Sequence, residues 1–311
     1  MNRNILRLLP IRHDVVLLCA ALMLVNSLAG LAAAARRFDI VTFCCPCTLD
    51  DHLCTPQFDA LNRSTNATLR NGHFLAMGTD AHRAEINANG NFLAAYYDDL
   101  NTGWSNTPAA QKADDIEYRY IRQNFTNTGV KTTWVVLNEV SADLWPTNQA
   151  YRTWVGNVVS RLKNKYGHSV ILFAPFANPG RHNEDWKRVS RYAYIGVENF
   201  LSGQEIKSNR FSVRWCRDQY RKSKKSYLDR KVPADKIYLV EHFAQTKAGI
   251  HRGRSGVSAT EWDKAIEARN AAARQVRFAG FVSYAWGKNA MLVSDTELIH
   301  FENTYAAMKL P

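Results

Sequence analysis

Three carboxylates stand where apolar runs end. "TTWVVLNE" (132–139) closes on Asn138 and Glu139, "YAYIGVENF" (192–200) carries Glu198 and Asn199, and "KIYLVEHF" (236–243) carries Glu241 and His242. Two carboxyl groups that face one substrate divide acid and base work between them. Neighbouring negative charges resist simultaneous ionisation, so one group holds a proton while the other stays charged. Cleavage of a glycosidic bond needs that division: a proton for the leaving oxygen and a carboxylate for the sugar cation. Glu139 and Glu241 are 102 residues apart, which over three strand–helix units is 34 residues each, an ordinary length for such a unit.

Elements that would position these groups alternate along the chain. Short β-rich runs occur at 38–44, 73–78, 91–99, 132–139, 169–175, 192–200, 236–243 and 278–287. Helix-compatible stretches lie between them, at 109–125, 148–166, 207–236 and 259–277, with a last one near 295–308. Eight such units in this length predict an α/β fold, a (β/α)8 TIM barrel, whose active site forms at the C-terminal ends of the strands. An open doubly wound sheet is disfavoured because no glycine-rich phosphate loop follows the first run. Regular alternation poses one difficulty. Adjacent Asn138 and Glu139 should point to opposite faces, so both reach one site only if the strand bends or ends there.

With Asn-Glu ending the fourth run, Glu ending the seventh and Trp286 ending the eighth, the chain resembles the clan A retaining glycoside hydrolases over about residues 36–311. The resemblance implies Glu139 as general acid/base and Glu241 as the nucleophile. Asn138 would hold the sugar 2-hydroxyl and Trp286 would form the floor beneath the ring. Carboxyl groups of retaining enzymes lie roughly 5 to 5.5 Å apart. Val140 stands where many members have proline, and Glu198 where His or Tyr is commoner. Glu198 is therefore read as a sugar ligand or an alternative nucleophile. Tyr284 shares a strand face with Trp286, His242 would hydrogen-bond near Glu241, and Trp145 is a second stacking platform, most other aromatics being core.

The first residues form a separate region. Arg3, Arg7 and Arg12 precede the apolar run 15–25, and small residues follow to Ala35. That is the layout of a signal peptide over 1–35, with 36–311 as the single catalytic domain, secreted, periplasmic or extracellular. The apolar run is too short for a spanning helix, so stable membrane insertion is not expected. The chain carries a formal charge of +12, and between 207 and 236 eleven Lys/Arg face three Asp. This charge reads either as a patch for an acidic polymer or as the solvated face of an amphipathic helix marked by Phe211, Trp215 and Tyr220. Nucleic acid is not an expected partner, since no recognisable binding module is present.

Cys44, Cys45, Cys47 and Cys54 crowd one loop, with Cys216 distant. One or two disulfides with a thiol left over is the reading, since the spacing fits no zinc pattern. The expected function is hydrolysis of O-glycosidic bonds in an oligo- or polysaccharide, with retention and without a cofactor. The alternatives are a carbohydrate-binding barrel without activity, or a metal-dependent hydrolase built on the Cys/His-rich loop.

Overall fold

The computed structural model describes residues 39–42, 74–77, 93–100, 104, 133–176, 179–242 and 258–284. Every described residue belongs to the unit Phe38–Pro311. The signal-peptide reading, the loop with Cys44, Cys45, Cys47 and Cys54, the helices expected at 109–125 and 295–308, and Trp286 all lie outside the described residues.

Eight strands lie inside the eight β-rich runs. They are β1 (Asp39–Thr42), β2 (Phe74–Met77), β3 (Leu93–Asp99), β4 (Trp134–Asn138), β5 (Ser169–Ala174), β6 (Ala193–Glu198), β7 (Ile237–His242) and β8 (Gly280–Tyr284). Each pairs in parallel with the next, and β8 returns to pair with β1, so the sheet closes. Described helices connect the strands from β4 onward: α1 (Leu144–Thr147) and α2 (Gln149–Asn164), α3 (Asn183–Ser190), α4 (Gly203–Ser208) and α5 (Val213–Leu228), and α6 (Ala259–Val276).

The helix starts follow from local chemistry. Asn148 and Ser212 accept hydrogen bonds from the backbone N–H of Tyr151 and Trp215, which satisfies donors that have no partner within the helix. Ser202 with Glu205, and Ser258 with Glu261, form reciprocal capping boxes. At its other end, α6 stops on Arg277 in the left-handed region. There the buried Lys224 ammonium of α5 donates to the Val276 and Arg277 carbonyls, placing a cation at the negative end of the helix dipole.

Strand alternation sorts the core into two layers. Val135, Leu137, Val170, Leu172, Ile195, Val197, Ile237 and Leu239 pack against the helices, with Val155, Val159, Tyr220, Tyr227 and Ala272 opposite. Ala95, Trp134, Val136, Ile171, Phe173, Tyr238, Val240 and Val282 fill the interior of the sheet. Gly196 and Gly280 make room there: a Cβ at Gly196 would stand 2.8 Å from the Phe173 ring, and one at Gly280 2.5 Å from the Tyr238 ring. Near the strands' N-terminal ends, Trp134 stacks on Tyr194, Tyr238 packs tilted against Tyr194, and Lys236 lies 4.2 Å over the Tyr194 ring. Aromatic rings and a cation thus pack the lower end of the sheet.

Candidate active site at the strand ends

β4 delivers both polar residues to one face by breaking its own alternation. Leu137 packs on the helix side, and so does Val140, although two residues separate them. A regular strand would put Val140 on the opposite side from Leu137. Glu139 takes up the extra residue with φ of 35°. The Val140 N–H then donates to Phe173 O at 2.9 Å, returning the chain to β5. This is a bulge, a device that re-aims side chains at the end of a strand. Asn138, on the interior face with Trp134 and Val136, is joined there by Glu139.

Glu198 ends β6 on the same interior face as Tyr194 and Gly196, and its carboxyl is coupled to that of Glu139. Burial, reinforced by the Glu139 charge, pushes the Glu198 carboxyl up to about 8. Glu198 therefore keeps its proton through neutral pH. Tyr227 of α5 has a fully buried phenol that is raised well above its ordinary value, by burial first and second by Glu198, which is ionised at the alkaline pH where a phenol titrates. Tyr227 donates to Phe176 O at 2.8 Å.

The loop after β5 is held by side chains reaching its carbonyls. Besides Tyr227 on Phe176, Trp186 Nε1 donates to Pro179 O at 3.0 Å and Arg230 donates to Gly180 O. The His182 ring meets Pro146 O at 2.9 Å, and Arg152 donates to Trp145 O at 2.7 Å, which ties the β4 loop to its neighbours. Asn138 Oδ1 is buried and accepts no hydrogen bond among the described residues, which leaves an acceptor beside the carboxylate pair.

Glu241 is placed differently from the expectation. It shares the helix-facing side of β7 with Ile237 and Leu239, and it is 1% exposed. Arg269 of α6 reaches its Oε2 at 2.5 Å, and the Tyr220 hydroxyl of α5 donates to Oε1. The structure therefore brings Glu139 together with Glu198, while Glu241 belongs to an ion pair between β7, α5 and α6. Arg269 and Tyr220 are the residues that sequence reasoning missed. A signal existed, because Arg269 falls in the buried stripe of α6 with Ala265, Ala268 and Ala272.

Trp145 is also corrected. It is 1% exposed and packs on Trp186 with ring centroids 4.3 Å apart, so it is core and presents no platform. His242 and Tyr284 stand opposite each other at the ends of β7 and β8, and their side chains lie outside the described set. Cys216 is a buried free thiol near Arg269 and Glu241, and burial pushes it up to about 12. Among the described residues, no group of three or more His, Cys, Asp or Glu could hold a metal ion, and no helix is long and apolar enough to cross a membrane.

Fold and site together define an α/β protein of parallel strands that carries a coupled carboxylate pair at the strands' C-terminal ends. No protein-family model and no curated protein matches the chain. Among solved structures, it is similar to a xylose isomerase-like TIM barrel/4-hydroxyphenylpyruvate dioxygenase fusion protein, at 13% identity and a TM-score of 0.38, over 87% of this chain and 41% of that one. The chain thus spans less than half the length of that fusion protein.

Proposed function

We propose that the chain is a (β/α)8 glycoside hydrolase whose catalytic pair is Glu198 and Glu139. The observation that carries this reading is the coupling of the two carboxyl groups, with Glu198 raised to about 8 by burial and by Glu139. A neutral Glu198 donates its proton to the leaving oxygen as the C1–O bond breaks. The ionised Glu139 attacks C1 and forms a glycosyl ester. Water then gives a proton back to Glu198 and adds to C1, releasing Glu139 as a carboxylate and the sugar with its configuration retained. The orphan Asn138 Oδ1 accepts a hydrogen bond from a sugar hydroxyl. No cofactor enters these steps.

Aryl glycosides and a glycan panel test the reading. Glu139→Ala is expected to lose turnover and to regain it with azide, giving a glycosyl azide. Glu198→Gln is expected to keep turnover only on substrates with good leaving groups. Azide rescue of Glu241→Ala alone would return the nucleophile to β7.

A second reading, a carbohydrate-binding barrel without activity, is favoured by the withdrawal of Glu241 from the strand-end site. It predicts glycan binding that survives Glu139→Gln and Glu198→Gln, with no turnover of any glycan in the panel.

A further inference from the structure

The buried face of α5 accounts for Cys216, Tyr220, Ser223, Lys224 and Tyr227, and the opposite face is a file of cations. Arg214, Arg217, Arg221 and Lys225 recur every three or four residues, one turn of helix or about 5.4 Å apart, over a length of roughly 16 Å, and Lys222 lies beside Arg221. The Arg214 and Lys225 side chains are 85% and 71% exposed. Two acids temper the file: Asp218 lies 3.2 Å from Arg217 and 3.9 Å from Arg214, and Asp229 lies 2.6 Å from Lys225. At the centre, Arg221 and Lys222 are exposed and form no ion pair among the described residues. On the neighbouring helix Arg217 reaches Gln275 of α6 at 3.4 Å, and the exposed Arg274 and Arg277 flank that contact.

We propose that this face of α5, with the adjoining end of α6, binds a linear acidic polysaccharide. A second step, resting on the glycosidase reading, takes such a polymer as the substrate class of the strand-end site. Charge with one exposed large apolar side chain, Leu228 at the end of α5, favours this occupant. Binding at a lipid surface needs apolar side chains that enter the acyl boundary, and among the described residues Leu228 is the one exposed large hydrophobe. Single-stranded nucleic acid needs exposed aromatic rings for its bases, and the described residues present none. A polyanionic glycan, with one charge per sugar or two, asks only for a row of cations at the spacing the helix supplies.

The test uses the full chain carrying Glu198→Gln, so that binding is read apart from turnover. Titration with heparin and with polygalacturonate at 0.1 M salt is expected to show binding that weakens as salt rises, with none to dextran. Adding Arg221→Gln and Lys222→Gln removes two contacts. On a counterion-release slope of about 0.7 per contact, this weakens binding roughly 25-fold at that salt, with the melting temperature unchanged. Unchanged affinity in this variant overturns the surface, as does equal or tighter binding to phosphatidylserine vesicles or to a thymidine oligomer. With Glu198 restored, the two substitutions are expected to raise KM for the acidic polymer and to leave kcat alone. Turnover confined to neutral glycans overturns the substrate assignment while the surface stands. Binding without turnover of any glycan overturns the glycosidase reading instead.

Discussion

Replacing Arg269 by Met separates a structural Glu241 from a catalytic one. The guanidinium and the carboxylate are 2% and 1% exposed and 2.5 Å apart, so Met fills the space but leaves a buried carboxylate that has lost the Arg269 charge. Breaking such a pair from one side costs about 3 to 5 kcal/mol. A domain of this size loses about 2 to 4 °C of melting temperature per kcal/mol, so a fall of roughly 6 to 20 °C is expected. Removing both charges, as in Glu241→Leu with Arg269→Met, should recover most of that loss, because an apolar pair of similar volume carries no desolvation penalty. Differential scanning calorimetry measures both variants, and turnover is assayed well below the lowered transition. If the reasoning holds, the double variant keeps substantial activity. A double variant that melts like the parent but has no turnover, with the single variant unshifted, would refute it and return Glu241 to the chemistry.

Glu198 links pH to both stability and turnover. Its carboxyl is raised from 4.5 to about 8, so between those values the native state holds a proton that the unfolded chain has released. Its contribution to stability is therefore present below pH 4.5 and is lost as pH rises through about 8. Thermal midpoints should fall across that window, and Glu198→Gln should flatten the slope; an unchanged slope in the variant would count against the coupling. In turnover, kcat/KM is expected to decline above about pH 8, where the acid is spent. Gly280→Ala forces a methyl group to 2.5 Å from the buried Tyr238 ring; overpacking of this kind costs about 1 to 3 kcal/mol, read by urea denaturation. Ser258→Ala removes the cap on the Glu261 N–H and is expected to cost about 1 kcal/mol by the same assay.

The strand order was legible because most strands are short runs rich in β-branched or aromatic residues, bounded by longer polar stretches. The direction of Glu241 was not legible. In "IYLVEH" the helix-facing residues Ile237 and Leu239 and the interior residues Tyr238 and Val240 are all apolar, because a parallel strand is covered on both sides. Alternation then carries no label for inside and outside, and only the packing of Tyr220 and Arg269 supplies one. Glu198 was easier to place, since Tyr194 and Gly196 on its face are unlike Ile195 and Val197 on the other. For Asn138 and Glu139 the sequence posed the conflict between adjacency and a common face. The backbone at Glu139 resolves it, and no side-chain pattern announces a bulge of that kind.

That backbone sets folding against function at a single position. A residue with a Cβ is strained at a φ of 35°, whereas glycine takes such a conformation freely. Glu139→Gly should therefore relieve strain even as it removes a carboxylate from the pair. Among random variants, selection for resistance to heat would tend to discard Glu139, and selection for turnover would keep it.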